Sequence, residues 1–190
     1  MTRTVALLAA IAFLGGCGGE QTPTPTAPTA QLRPQVLASP TQTAVVNQDL
    51  ATLRQVTASF HNFDKAIAAG WAAQITPCME SAAGGMGFHY GNVALIDGSA
   101  RVDQPELLLY EPGSNGQLRL VAVEYIIPYT FRSRDATPPV LFGREFKHND
   151  VFQLWALHAW VWKDNPSGIF ADWNPLVSCA NATATSRMSH

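Results

Sequence analysis

Apolar residues follow distinct rhythms along this chain. Between Asn47 and Ala69, Leu50, Leu53, Val56, Phe60, Phe63 and Ile67 recur at spacings of three and four, one face of a helix. Asn47 suits an N-terminal cap and Gly70 a stop, so the pattern predicts a helix over 47–69, with Trp71 folding back on the core. Further on, Glu106 to Tyr110 and Gln117 to Ile127 read as β-strands. They flank "EPGSNG", whose Asn115-Gly116 pair predicts a hairpin turn. The run "VFQLWALHAWVW", residues 151–162, is apolar almost throughout and ends at the turn cluster "KDNPSG". Its length and tryptophans favour a central antiparallel strand. Together these elements predict an α+β fold: one long N-terminal helix packed on a mainly antiparallel sheet of four or five strands.

Polar residues that interrupt the apolar rows mark the candidate chemistry. At 100° per residue, Asp64 falls inside the helical stripe and His61 on its edge. A carboxylate turned to the core needs a partner, either an arginine or backbone amides, or a histidine it supports from behind. Residues of one parity share a strand face. In the last run Leu154, Ala156, His158, Trp160 and Trp162 form one row, and in the hairpin Leu118, Leu120, Ala122, Glu124 and Ile126 form another. His158 and Glu124 are thus lone ionisable groups in apolar rows, each with an alanine two residues earlier leaving space beside it. His89 is the third candidate, in "GGMGFHYGN", residues 84–92, where the glycines suggest a bend that delivers the ring inward.

Two histidines and a glutamate can hold zinc or another divalent metal, form an acid–base pair with an orienting group, bind a polar ligand, or satisfy one another in a core. An imidazole separation beyond about 8 Å would preclude joint ligation at zinc's ~2 Å bond lengths. Tyr90 and Asn92 could add polar contacts, with His61 and Asp64 behind the site. His148, in "REFKHND", reads as a surface-loop residue able to close over it. HExxH, HxH, CxxC, a P-loop, a G-x-S-x-G elbow and a dinucleotide fingerprint are all absent from the sequence.

The first residues, "MTRTVALLAAIAFLGGCGG", combine a basic start, a short apolar run and small residues, the grammar of a secretory signal. Leu14-Gly15-Gly16-Cys17 resembles the bacterial lipobox. That resemblance implies a signal peptide over 1–16, cleavage before Cys17, lipid on Cys17 and attachment to the cell envelope. With Gly18 rather than aspartate next, it implies the outer membrane in a Gram-negative cell. Cys78 and Cys179 then remain in an oxidising compartment, where a disulfide is expected. Residues 17–46 are Pro/Thr-rich and read as a tether, residues 47–180 as a single domain, and 181–190 as a disordered tail. The twelve basic side chains less Arg3, against fourteen acidic ones, leave a net charge of about −3 and no basic stripe, so nucleic acid is not an expected partner.

The segments "GMGFHYGN", "PELLLYEP", "LVAVEYIIP", "LHAWVW", "NPSGIFADWNP" and "VSC" resemble an uncharacterised family of exported bacterial and archaeal proteins. The resemblance spans about Phe60 to Cys179 and implies one folded unit. The leading expectation is a lipid-anchored binding domain with a His89/Glu124/His158 pocket for a small ligand or a metal. The alternatives are a metal-assisted hydrolase or oxidase using the same residues, and an envelope lipoprotein with a structural or interaction role and no ligand site.

Overall fold

A computed structural model describes residues 39–182 and the backbone of 187–189, all within one compact unit. The leader, Cys17 and the tether as far as residue 38 lie outside the described residues. Among the described residues, no helix is long and apolar enough to cross a membrane.

The helix starts earlier than its apolar stripe predicts. Helix α1 covers Pro40–Thr57: the Ser39 hydroxyl accepts a hydrogen bond from the Gln42 amide, and Pro40 occupies the first helical position. Residues 40–46, read from composition as tether, are therefore helical. A four-residue 3-10 turn, Ala58–His61, extends α1, and helix α2 covers Phe63–Ala68. Asn62 separates them and caps α2 by accepting from the Lys65 amide. This interruption resets the helical phase. Leu50, Leu53 and Thr57 are buried, while Val56 and Asp64 face solvent. Asp64 thus needs no buried partner. Trp71 does return to the core, packing against Phe60 with the rings tilted by 49° and donating its indole N–H to the Pro105 carbonyl.

Six strands form a curled antiparallel sheet, one or two more than expected: β1 (Ala73–Ser81), β2 (Gly84–Gly91), β3 (Leu107–Pro112), β4 (Leu118–Pro128), β7 (Lys147–Asn149) and β8 (Leu154–Ala159). Their spatial order is β7-β8-β4-β3-β2-β1. The short strands β5 (Val140–Leu141) and β6 (Arg144–Glu145) pair separately. Residues 187–189, expected in a disordered tail, form β9, which pairs in parallel with Cys78, Met79 and Glu80 of β1. The β3–β4 hairpin turns at Asn115-Gly116 as the sequence predicts, with the Gly113 amide bonded to the Gln117 carbonyl.

All six residues of β3 are buried, because both faces of the sheet are covered. On one face α1 and α2 pack over Leu108, Tyr110, Val123, Tyr125, Trp155 and Leu157. The other carries Leu107, Leu109, Ala122 and Ile126 with Trp160 and Val177 from the chain after β8. A bulge at Val121 alters the expected parity: Leu109 pairs with Ala122 but Tyr110 with Leu120. Leu118 and Leu120 consequently pack on the helix side, while Ala122, Glu124 and Ile126 face the other way. Trp162 also lies on the helix side, because β8 ends at Ala159. Cys78 and Cys179 form a disulfide between β1 and the segment that follows β8.

Candidate metal and ligand site

The glycine-rich stretch is strand β2, not a bend. Its glycines permit close backbone approach. A Cβ on Gly84 would sit 2.3 Å from the Asn174 carbonyl oxygen, and one on Gly87 would sit 2.4 Å from that of Tyr110, with Gly87 at φ +87°. Strand β2 therefore lies tight against β3 and the 174–177 segment, and alternation turns His89 to the face away from the helices. Glu124 and His158 share that face on β4 and β8, where they are direct cross-strand partners. His89 reaches the same point across β3, whose Leu107 pairs with Glu124 and whose Leu109 pairs with His89.

The three side chains converge. Nε2 of His89 lies 3.4 Å from one Glu124 carboxylate oxygen, and Nε2 of His158 lies 3.6 Å from the other. The imidazole centroids are 6.3 Å apart. One ligand atom from each residue falls within 4.8 Å of the others, so the cluster is able to hold a metal ion. All three are buried, at 3–5 % exposure. The outer nitrogens are directed elsewhere: Nδ1 of His89 is 2.8 Å from the Thr76 hydroxyl, and Nδ1 of His158 is 3.7 Å from an Asp172 carboxylate oxygen. The latter is ion-pair range, longer than a hydrogen bond. Neither nitrogen of His158 makes a hydrogen bond among the described residues. Asp172 is held in turn by Lys147, whose Nζ lies 2.9 Å from both carboxylate oxygens.

Burial sets the charge states. It pushes His89 down to about 3, helped by His158 and opposed by a hydrogen bond to the Gly87 carbonyl, so this ring is neutral. Glu124 is raised by burial and by Asp172, against the pull of His158. Burial disfavours the charged form of His158, but Glu124 and Asp172 outweigh it and raise the ring. Burial likewise opposes ionisation of Asp172, yet His158 and Lys147 hold it down at about 2.

Beside the cluster lies a cavity of about 260 Å³ with largely apolar walls that include Ile75, Met79, Met86, Leu107, Ile126 and Ala156. His148 is at its edge, on strand β7 rather than in a loop, with its ring 4.0 Å from that of Trp155 and its Nδ1 3.1 Å from the Tyr129 hydroxyl.

The proposed supporting residues are elsewhere. His61 is exposed and meets Trp162 edge-on, and Asp64 is exposed beside Gly116 and Leu118. Tyr90 faces the helices, ringed by Phe63 and Tyr110, and donates its hydroxyl to Gln74. Asn92 caps the turn that follows β2 by accepting from the Ala94 amide. The residues beside the outer imidazole nitrogens are instead Thr76 and Asp172, with Lys147 behind Asp172. Thr76 sits opposite His89 in an irregular stretch of β1, and Asp172 lies in the segment that follows β8. Neither carries a sequence signal beyond a polar residue near an apolar segment. No protein-family model matches this chain, and no curated protein or solved structure matches it.

Proposed function

We propose that this protein is an exported, lipid-anchored binding domain built around a divalent-metal site, with His89, Glu124 and His158 as ligands. The observation that carries this reading is the orientation of the two imidazoles. Both Nε2 atoms turn to one buried carboxylate, and both Nδ1 atoms turn outward to Thr76 and Asp172. Metal-bound histidines have this arrangement, in which an outer partner fixes the ring and tunes its basicity. Two histidines and one carboxylate suit zinc and leave a further coordination position, as ligand-binding and catalytic zinc sites do. The leader and the Cys78–Cys179 disulfide support export to an oxidising compartment.

A metal-assisted hydrolase or oxidase is the second reading, favoured by the cavity beside the three ligands. In the third, a structural envelope lipoprotein, the cluster would be self-satisfied; the unbonded His158 nitrogens weigh against it.

The test is metal analysis of the chain from Gly18 onward, produced without a histidine tag. Close to one zinc per chain is expected, with loss of the metal in His158→Ala. A metal-free protein whose stability is unchanged by His158→Ala refutes the site.

A further inference from the structure

We infer that the metal centre and its cavity together form a receptor for small monocarboxylates with an apolar body. This rests on the metal reading above and adds the class of ligand. The first support is charge. A divalent ion, the Glu124 carboxylate and two neutral imidazoles leave one positive charge uncompensated among side chains 3–5 % exposed. Asp172 does not supply the balance, because Lys147 already matches it through two 2.9 Å contacts. A buried unpaired charge is strongly unfavourable, and a bound monoanion removes it. A dianion such as phosphate would overshoot this single charge and leave a surplus negative charge buried.

The second support is shape. The cavity of about 260 Å³ is lined by the cluster, by an apolar wall of methyl, methylene and thioether groups from Ile75, Met79, Met86, Leu107 and Ile126, and by polar residues that include Lys147, His148 and Asn149. At protein packing density this space takes roughly a dozen non-hydrogen atoms. Its lining continues to apolar groups that stay open to solvent: Val151 is 75 % exposed, and Ile75 and Phe152 are each 42 % exposed. A charged head at the cluster and an apolar body along the apolar wall match this distribution. Hydroxyls of a sugar or other polyol laid against the apolar wall would stay unpaired.

The test uses the tag-free chain from Gly18 onward, loaded with Co²⁺, whose visible absorption reports on its ligands. Acetate, butyrate, hexanoate, octanoate and inorganic phosphate are titrated in turn. The carboxylates are expected to shift the cobalt band, with affinity rising about three- to fourfold per added methylene until the cavity is full. Phosphate is expected to bind more weakly than hexanoate. Ala156→Leu narrows the cavity and should flatten the chain-length series without changing cobalt stoichiometry. Val151→Asp lies on the exposed rim, where folding is undisturbed, and should weaken octanoate while sparing acetate. Cobalt binding with no carboxylate response, or with a flat series in the unaltered protein, overturns this inference and leaves the metal site standing. Failure to bind cobalt overturns both.

Discussion

Glu106 offers a test of the fold's electrostatics away from the His89–Glu124–His158 cluster. It is fully buried just before β3. One carboxyl oxygen accepts a hydrogen bond from the Ile126 amide at 3.2 Å, and the other has no hydrogen-bond partner among the described residues. Burial pushes this carboxyl up from 4.5 to about 8, with backbone amides and Arg101 opposing the rise. Above 4.5 the unfolded chain releases the proton while the folded chain keeps it, so folding takes up a proton and stability falls as pH rises. The fall ends near pH 8, where the folded protein also ionises. At ~1.36 kcal/mol per unit, this group alone removes up to about 5 kcal/mol between pH 4.5 and 8, comparable with the whole stability of a marginal domain.

Glu106→Gln keeps an acceptor for Ile126 and cannot ionise. Its amide places an unsatisfied donor where the free oxygen was, a pH-independent penalty of ~1–3 kcal/mol. Urea unfolding of both proteins from pH 5 to 9, followed by tryptophan fluorescence, separates the two effects. The difference in stability between variant and parent should move in favour of the variant as pH rises and level off above pH 8. All other titrating groups are common to both proteins and cancel. Parallel pH profiles would refute the assignment of Glu106 as a buried neutral acid.

Two further outcomes follow from the packing of β1 and β2. The Cys78–Cys179 disulfide links residues 101 apart, and removing it as Cys78→Ala/Cys179→Ala should destabilise the fold by about 2–5 kcal/mol in denaturant unfolding; an unchanged midpoint and slope would contradict this. Gly87→Ala and Gly116→Ala both place alanine at positive φ, +87° and +79°, but only the first drives a Cβ to 2.4 Å from a backbone oxygen. Gly116→Ala should cost about 1 kcal/mol, while Gly87→Ala should cost at least ~2 kcal/mol more and, under the metal site proposed above, reduce metal retention by displacing His89. Equal effects of the two substitutions would show that β2 is not held against β3 as described.

Much of the site follows from period-two alternation. Glu124 and His158 stand out as lone ionisable groups in apolar rows, and the structure places them directly opposite each other. Parity is a local rule, however, and fails where the strand does. The bulge at Val121 inserts a residue that composition does not announce, so Leu118 and Leu120 exchange faces with the part of β4 that carries Glu124. The same limit applies to the helix. The Ser39-Pro40 cap signal was present but lay inside a Pro/Thr-rich segment, and the stripe from Leu50 to Ile67 gave no sign of the break at Asn62 that turns Asp64 outward.

The sequence by itself determined the α+β class, the hairpin at Asn115-Gly116 and the candidate trio. These depend on backbone periodicity and turn chemistry, which act over a few residues. Tertiary structure alone decided that His89 meets the other two, because that contact crosses β3 and depends on the curl of the sheet. It also placed Thr76 and Asp172, rather than His61 and Asp64, beside the two imidazoles. Those contacts join segments far apart in the chain, and their partners are set by register and burial, which no local spacing encodes.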